Sequence, residues 1–562
     1  MKKLLALLFS IYTFGVFAQT QQEYRSPLDI PLILSANFGE LRPNHFHSGI
    51  DLKTEGVINK PVYSIADGYI SRISVSPSGY GLAIYVTHVT GQTSVCGHIN
   101  KFAPKVAEYV KNKQYQQESY SVDLSLNPEE LPVKKGDLIA YSGNTGSSGG
   151  PHVHFEIRNT ADQTALDPLE YYKNSITDTK PPLIKGIAIY PINEEGAVEF
   201  SRFPYRANVS VLKNGSYAPI KDDVEAWGKI GIGVRTNDRM DGTTNIYGVR
   251  KVRLFCDSVE IFSSDLSIID FSKTRMINSM TDFDYWSKRK VFYEKSFIEP
   301  GNKLPIYKAV NNGYINIKEN RIYNFRYELE DLYGNQTSYS FSVKGKEQTI
   351  PQKRKCTLRM SWDKDNNYSA DGLSLNIPNG YLYDNLCFML KKTTDASYLS
   401  DTYQVNDTHV PLHGYCNMSV ALTKDTATNK AQYGIVRIAG TRESWVGGKY
   451  ENGKITAQIR ELGHAYAVST DTKAPEISPI QPVKWIKNGV IKIRVTDNKS
   501  GLKSCKGTID GKFALFENDV KSPIYSYTID PKRVEKGKTH KLIFTATDGC
   551  GNTSTYEYEF KY

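Results

Sequence analysis

The chain has 562 residues, enough for about four domains at roughly 150 residues each. Its 23% of charged and 40% of hydrophobic residues exclude wholesale disorder, and its seven cysteines are too few for a small disulfide scaffold. A membrane channel or transporter is also excluded, because nothing after the signal-like N-terminus approaches the roughly 18 unbroken apolar positions of a spanning helix. The 38 Tyr and 22 Phe favour strands over helices.

The first 18 residues have the three parts of a secretory signal peptide. Lys2 and Lys3 form a basic start, residues 4–17 are apolar, and Ala18 ends a cleavage-site pattern, so the predicted mature chain begins at Gln19. Export across the inner membrane to the periplasm or cell envelope follows from this prediction. The alternative is an uncleaved anchor, which the short apolar stretch does not favour.

The positive charge indicates an acidic partner. Removing two lysines and no acid lowers the net charge from +10 to +8, which suits an anionic envelope polymer. No nucleic-acid partner is expected, because the chain has no dense Lys/Arg run and no recognition motif. Solubility alone is the alternative reading of the charge, and the sequence does not fix the oligomeric state.

Residues 19–175 form the first predicted domain after the signal peptide. Short β-branched and aromatic runs begin at Pro61, Gly68 and Leu82 and are separated by glycine turns, as strands are. Residues 103–133 look like an insertion, with a short helix over 105–113 and a polar loop over 115–130. Strand patterning resumes at Val133.

Two sequence signals recur farther along the chain. A D-T-K-x-P opening occurs at Asp178 and Asp471, and a G-N-x-[ST] hairpin occurs at Gly334 and Gly551. The repetition predicts two related Ig-like β-sandwich modules at 180–345 and 472–562, with a third β-sandwich module at 355–470 between them. The predicted fold is therefore mainly β throughout. These modules hold four isolated histidines with no predicted chemistry: His409, His413, His464 and His540.

An odd cysteine count leaves at least one thiol unpaired in a monomer. Cys505 and Cys550 lie in one C-terminal segment and are a candidate disulfide. The sequence does not fix the connectivity, so two unpaired thiols at these positions are an equally good prediction.

Six of the ten histidines fall between residues 45 and 154. In the run His152-Val-His154-Phe-Glu156-Ile, strand alternation places the imidazoles on one face and the apolar residues in the core. One imidazole of this pair can bind a metal while the other lies beside it, and Glu156 can orient an imidazole from behind.

A second motif, His47-Ser-Gly-Ile-Asp51, supplies a histidine and a carboxylate with a glycine between them. Glycine allows the tight backbone path that brings both side chains toward one point. Two His and one Asp leave a fourth tetrahedral position for water, which is typical of a catalytic zinc site.

Together the motifs resemble the lysostaphin-type (LytM, M23) zinc metallopeptidases from about residue 35 to residue 159. The resemblance also covers Gly79-Tyr-Gly, Cys96-Gly-His98 and the glycine-rich run from Gly143 to Gly150. It implies a small β-rich catalytic fold that binds Zn²⁺ through His47, Asp51 and His154. It also implies that His98 and His152 are the catalytic histidines and that the substrate is a peptide bond of bacterial peptidoglycan.

Three departures and two rival functions remain open. Cys96 stands where the family has an aromatic or similar residue, and its side chain either approaches the metal or fills the core. His45 is either a histidine at the rim of the site or a ligand, and His88 belongs to no motif. The rivals are a non-enzymatic or autoinhibited envelope regulator that activates other wall hydrolases, and a zinc peptidase of secreted proteins. The regulator is disfavoured because all five key residues are present.

Overall fold

The computed structural model describes residues 24–220, 224–351 and 355–562. The predicted signal peptide, the predicted start at Gln19 and the alternative anchor lie outside the described residues. The fold is mainly β, as predicted. No helix in the described ranges is long and apolar enough to cross a membrane.

The first unit is built on a twisted sheet with one smaller sheet beside it. The large sheet has the strand order Leu34–Ala36, Ile50–Lys53, His152–Asn159, Gln92–Ile99, Leu82–His88, Gly68–Val75 and Val122–Ser125, with Pro132–Val133 and Ala165–Leu166 at its margins. The smaller sheet joins Pro61–Tyr63, Leu138–Tyr141 and Lys101–Phe102, and a hairpin joins Leu41–Arg42 to His45–Phe46. The strands predicted to begin at Pro61, Gly68 and Leu82 are confirmed.

The insertion differs from its prediction in two ways. Its helix runs over Pro104–Gln116 and so extends beyond the predicted 105–113, with a proline in its first turn. Part of the predicted loop is instead the strand Val122–Ser125, which pairs with Gly68–Val75 and buries Val122 and Leu124. Val122 and Leu124 alternate with polar residues over four positions only, and so short a pattern does not predict a strand. The unit ends in the helix Leu169–Tyr172 and the 3₁₀ turn Lys173–Ser175.

The second unit contains one large sheet. Its strand order is Tyr205–Asn208, Leu183–Val198, Glu225–Asn237, Gln336–Gly345, Ile322–Glu330, Lys251–Cys256, Val259–Asp265 and Tyr307–Ala309, with Glu294–Lys295 and Ile315–Ile317 paired to Glu225–Asn237. The strand Ile268–Ile269 pairs instead with Ala165–Leu166 of the first unit. Helical segments lie at Thr274–Met276, Ile277–Met280, Phe283–Arg289 and Asn311–Gly313.

The third unit is formed around two long neighbouring strands, Thr402–Ala421 and Lys454–Thr470. The remaining strands of this sheet are Asn366–Ala370, Leu373–Ile377, Leu390–Thr393, Tyr433–Ala439, Arg442–Gly447 and Lys449–Glu451. A separate pair joins Leu358–Met360 to Leu386–Phe388, and a 3₁₀ turn covers Lys430–Gln432.

The fourth unit has two sheets around a buried core that includes Trp485 and Phe544. One sheet has the order Glu476–Pro479, Val490–Thr496 and Ile524–Thr528, and the other has Lys512–Ala514, Leu502–Ile509, Thr539–Asp548 and Thr553–Lys561. The short helical segments are Pro482–Lys484 and Trp485–Asn488. Two packed sheets fit the predicted β-sandwich.

The repeated sequence signals form the same junction twice. Asn335 Nδ2 donates to the Asp178 carbonyl oxygen at 3.1 Å and to Asp331 Oδ2 at 2.8 Å. In the fourth unit, Asn552 Nδ2 donates to the Asp471 carbonyl oxygen at 3.1 Å and to Asp548 Oδ2 at 2.8 Å. The first residue of each D-T-K-x-P segment is therefore buried at its junction.

Among the residues that the structure describes, one disulfide is present, between Cys356 and Cys387. The candidate disulfide between Cys505 and Cys550 is wrong, since both thiols are free. The register explains this result: Cys505 lies opposite Ala546, whereas the Cys550 thiol is 3.8 Å from the Gln432 carbonyl oxygen.

The first two units share one hydrophobic core. Side chains from the 240–306 segment are buried in the same cluster as the strands of the first unit; they are Met240, Tyr247, Leu266, Ile269, Ile277, Met280 and Ile306. The second unit also has a core of its own around its large sheet. The first unit therefore packs against its neighbour as tightly as parts of one domain do.

Candidate metal centre and active site

Strand alternation creates the site on the face of the large sheet opposite the hydrophobic core, and its side chains are largely buried. In the His152–Asn159 strand, Val153, Phe155 and Ile157 are fully buried in the core. His154 lies on the opposite face and is paired in register with Asp51 on the neighbouring strand. The two motifs that are about 100 residues apart in the sequence thus meet side by side.

His47 reaches the same point from the turn that precedes Asp51. Its Nδ1 donates to the Asn37 carbonyl oxygen at 2.7 Å, which directs Nε2 toward the other two side chains. The turn passes so close to the next strand that a Cβ at Gly49 would lie 2.3 Å from the Phe155 carbonyl oxygen. Only glycine permits this approach.

Three acceptor atoms converge at this point. His47 Nε2 lies 3.1 Å from Asp51 Oδ1 and 3.0 Å from His154 Nδ1, and His154 Nδ1 lies 3.0 Å from Asp51 Oδ1. Because each imidazole has a hydrogen-bond acceptor at its other nitrogen, the neutral tautomers present lone pairs to the centre.

This donor set fits a zinc ion. Tetrahedral ligands at bonds of about 2.0–2.1 Å stand roughly 3.3 Å apart, close to the separations observed here. Two imidazoles and a carboxylate are also ligands that zinc prefers. The two imidazole nitrogens and the carboxylate oxygen repel one another unless protons or a cation lie between them, and a bound cation would take the place of those protons.

The charges of the site favour anionic Asp51 and a strongly basic His154. Burial raises the pKa of Asp51, but the surrounding histidines outweigh it and hold that pKa well below its usual range. Burial lowers the pKa of His154, yet its hydrogen bonds with Asp51 and Glu156 raise it to about 9. The position therefore attracts positive charge.

Glu156 is fully buried behind His154 and fixes its orientation. Glu156 Oε1 accepts hydrogen bonds from His154 Nε2 at 2.7 Å, Tyr80 Oη at 2.5 Å and Ser48 Oγ at 2.7 Å. Its other oxygen accepts from Arg158 Nε at 2.5 Å. Burial raises the pKa of Glu156, but His154 and Arg158 outweigh it, so the carboxyl group stays ionised.

His98 and His152 flank the centre. His152 Nε2 lies 3.4 Å from Asp51 Oδ1, and the rings of His98 and His152 are 4.9 Å apart. His98 Nδ1 donates to the Thr145 carbonyl oxygen at 2.9 Å, and His152 Nδ1 donates to the Gly150 carbonyl oxygen at 2.8 Å. Both imidazoles therefore present Nε2 as an acceptor. Burial, together with nearby His154 and His152, lowers the pKa of His98 to about 4.

Cys96 fills the core rather than the site. It is buried in the hydrophobic cluster of the first unit, and burial raises the pKa of its thiol to about 12. Simple alternation would place it on the same face as His98, but the register shifts between Leu82 and Ile84, and His98 has a φ of 58°. This irregularity turns His98 toward the metal position.

The remaining histidines lie outside the three-ligand group. His45 is exposed and donates from Nδ1 to the Pro43 carbonyl oxygen, and His88 is buried with Nε2 2.8 Å from Ser94 Oγ. One expectation is wrong: His409 and His464 are not isolated, because their rings lie 4.8 Å apart. The long neighbouring strands bring them together.

Sequence reasoning assigned no role to Tyr80, Ser48 or Arg158. Tyr80 stacks on His154 with ring centroids 4.9 Å apart and an interplanar angle of 22°. The Gly79-Tyr-Gly run marked this tyrosine as part of the family resemblance, but nothing in its spacing linked it to His154. Arg158 continues the alternation of the His152–Asn159 strand, and this pattern could have indicated its place behind Glu156.

The first unit thus combines an antiparallel sheet with a group of two histidines and one aspartate that could hold a metal ion. The model of peptidase family M23 matches residues 119–168, which include His152 and His154 but not His47 or Asp51. An M23-type metallopeptidase domain is therefore present in this chain. The model of a Zu5-like domain matches residues 357–471, close to the predicted third module.

Several known proteins are similar to part of the chain. An uncharacterized metalloprotease of Haemophilus influenzae is 29% identical over 131 residues, which are 23% of this chain and 21% of that protein. The DD-carboxypeptidase/endopeptidase Mpg of Neisseria meningitidis is 29% identical over 112 residues, or 20% of each protein. Lysostaphin of Staphylococcus staphylolyticus is 28% identical over 132 residues, or 23% of this chain and 22% of lysostaphin. The chain thus spans about a fifth of the length of these relatives.

Among solved structures, the catalytic domain of lysostaphin from Staphylococcus simulans is similar to 25% of this chain, with 92% of that domain covered. The identity is 23% and the TM-score is 0.19. A zinc-containing peptidase from Vibrio cholerae matches with 25% identity over 23% of this chain and 35% of that protein, at a TM-score of 0.18.

Proposed function

We propose that this protein is a secreted zinc metalloendopeptidase that hydrolyses peptide bonds in the stem or cross-link peptides of bacterial peptidoglycan. The observation that carries the proposal is the convergence of His47 Nε2, Asp51 Oδ1 and His154 Nδ1 within 3.1 Å of one another, beside the imidazoles of His98 and His152. The ligands leave one side of the metal position to the two histidines. This arrangement supports a catalytic rather than a structural site.

His47, Asp51 and His154 would hold the ion. Bound zinc supplies Lewis acidity, which makes water a nucleophile at neutral pH and polarises the scissile carbonyl group. Glu156 keeps the His154 ring in one tautomer, and the Asn37 carbonyl oxygen does the same for His47. These outer contacts orient both rings before an ion arrives.

His152 and His98 perform the proton chemistry. His152 lies next to Asp51, where its Nε2 accepts a proton from water and passes it to the leaving amine. His98 shares the proton transfer, because its Nε2 is an acceptor, and it can donate a hydrogen bond to the oxyanion on the carbonyl oxygen only after Nε2 has taken up a proton. Both roles need Nε2 directed into the site, and the Nδ1 hydrogen bonds to Thr145 and Gly150 provide that direction.

The substrate class rests on the names of relatives and on charge. Lysostaphin and a DD-carboxypeptidase/endopeptidase are among the similar proteins, and the chain carries a net charge of +10, which suits an anionic polymer. The predicted signal peptide over residues 1–18 supports a periplasmic or envelope location. Modules 180–345, 355–470 and 472–562 would bind the wall, a partner or the catalytic domain itself.

The test is a digest of purified peptidoglycan with the chain from Gln19 onward, followed by mass spectrometry of the released fragments. We expect new peptide-bond products from the wild type and from His413→Gln, a change on the third unit, and none from His152→Ala. A zinc-loaded protein that releases nothing from peptidoglycan would contradict the proposed substrate and favour the regulator or a peptidase of secreted proteins.

A further inference from the structure

A loop of the fourth unit that contains Asp519 and Lys521 forms hydrogen bonds with the 144–146 loop beside the proposed active site. Asp519 Oδ2 accepts a hydrogen bond from the Gly146 backbone amide at 2.9 Å. Lys521 Nζ donates to the carbonyl oxygens of Asn144 at 2.6 Å and Gly146 at 2.5 Å. Two charged side chains, 373 to 377 residues from their partners in the sequence, therefore bind the residues on both sides of residue 145.

Residue 145 is the one that orients His98. The Thr145 carbonyl oxygen accepts the hydrogen bond from His98 Nδ1 at 2.9 Å, which leaves Nε2 as the acceptor that faces the site. The hydrogen bonds from Asp519 and Lys521 thus act on residues 144 and 146, directly beside the Thr145 carbonyl oxygen that sets the His98 tautomer. A shift of the loop would break or lengthen the Thr145–His98 bond.

The 144–146 loop is held partly by its own unit and partly by the fourth unit. Gly146 has a φ of 68°, and a Cβ there would lie 2.3 Å from the Gly81 amide nitrogen, so no larger residue can stiffen this position. The first unit also contributes, since the Ser147 amide donates to the Gly79 carbonyl oxygen at 2.8 Å. Asp519 and Lys521 add charged hydrogen bonds, which are stronger than neutral ones.

The loop that carries Asp519 and Lys521 is itself held in place by contacts that do not involve the active site. The Val520 amide donates to the Pro77 carbonyl oxygen at 2.8 Å. Lys506 pairs with Glu118 at 2.6 Å and Lys111 pairs with Asp530 at 2.8 Å across the same interface. The fourth unit therefore contacts the first unit through bonds other than those of Asp519 and Lys521, and these contacts fix the position of the loop that carries the two residues.

We infer that Asp519 and Lys521 are positioning residues that hold the 144–146 loop so that Thr145 keeps His98 in its working tautomer. The inference deepens the proposed function and rests on it for the catalytic role of His98. It gives the fourth unit a part in turnover without direct contact with substrate. Neither residue touches the metal position or the reacting atoms.

The test compares the double variant Asp519→Ala/Lys521→Ala with two controls in the full chain. Lys506→Ala removes an ion pair of the same interface that does not touch the loop, and Asp519→Asn keeps an oxygen that accepts from Gly146. We expect the double variant to lose about tenfold or more in kcat with KM nearly unchanged, because a displaced acid–base group forfeits part of its effect. Both controls should stay within about twofold of wild type.

Two further measurements do not depend on activity. Hydrogen exchange of a peptide covering residues 143–147 should become faster in the double variant and not in Lys506→Ala. Two-bond ¹H–¹⁵N spectra of histidine-labelled protein, with the His98 signal assigned by its loss in His98→Gln, should show a mixed His98 tautomer only in the double variant. An unchanged His98 tautomer in the double variant overturns the inference, as does an unchanged kcat in an active enzyme. If even wild type fails to cleave peptidoglycan, the proposed substrate fails while the tautomer still decides the positioning role.

Discussion

Replacing Glu156 by Gln tests whether the carboxylate behind His154 prepares the metal site. Glu156 is fully buried, and its two oxygens accept hydrogen bonds from His154, Tyr80, Ser48 and Arg158. Glutamine offers only one oxygen. If that oxygen serves His154, the new amide group faces the Arg158 guanidinium, and two donors then oppose each other where a charge pair stood.

The expected loss is in zinc affinity. Removing an outer-shell partner of a metal-bound histidine typically weakens metal binding by 10–100-fold, or about 1.4–2.8 kcal/mol. We expect Glu156→Gln to fall in this range, because the single glutamine oxygen cannot serve all the donors that orient His154. The change also leaves Arg158, which is 7% exposed, without its charged partner, and this costs roughly 3–5 kcal/mol of folding stability. Circular dichroism therefore has to show that the mutant is folded before its zinc affinity is compared.

The assay is a zinc titration of metal-free protein against a competing chromophoric chelator. Asp123→Asn is the matched control, because it makes the same chemical change in a carboxylate paired to Arg72 on the surface, where ion pairs are worth about 0–1 kcal/mol. Its zinc Kd should equal that of the wild type. A Glu156→Gln protein whose zinc Kd stays within twofold of wild type would refute the argument that Glu156 prepares His154.

Three further changes have expected outcomes. His154→Ala should abolish both stoichiometric zinc, measured by atomic emission, and activity; an active protein without zinc would remove the metal assignment. His152→Ala should keep zinc but lose about 10²–10⁴-fold in turnover, and retained turnover would show that it is not catalytic. Asp238→Asn should raise the melting temperature at pH 8 and not at pH 4 in buffer free of divalent cations. Burial, with neighbouring Asp331 and Asp178, raises the pKa of Asp238 to about 8, so wild-type stability falls, by up to about 5 kcal/mol, as the pH rises from about 4 to 8. A pH-independent difference between the two proteins would contradict this.

The sequence predicts the parts of the site that strand alternation controls. His152, His154 and Glu156 lie on one face because residues two apart in a strand do so, and glycine at position 49 signals the tight turn before Asp51. The face of Cys96 could not be predicted in the same way. A single irregularity beside His98 reverses the expected alternation, and no residue type announces it.

Long-range contacts are the other part that sequence reasoning missed. The hydrogen bonds of Asp519 and Lys521 with the 144–146 loop, and the pairing of His409 with His464, join residues whose local sequences carry no shared signal. The repeated D-T-K-x-P and G-N-x-[ST] segments predict related modules, and in the structure they form the same junction twice. They did not predict that Asp178 and Asp471 would be buried, with their backbone carbonyl oxygens accepting hydrogen bonds at the junctions.

The shared core of the first two units predicts that a fragment of residues 19–175 does not fold stably alone. Seven side chains between residues 240 and 306 are buried in the core of the first unit. Without them, the apolar side chains of the first unit that they cover are exposed to water, at a cost of about 25 cal/mol per Å² of apolar surface. A fragment of residues 19–345 keeps these contacts, and we expect it to show a cooperative melting transition that 19–175 lacks. A cooperative transition of 19–175 at the temperature of the longer fragment would mean that the shared core contributes little to the stability of the first unit.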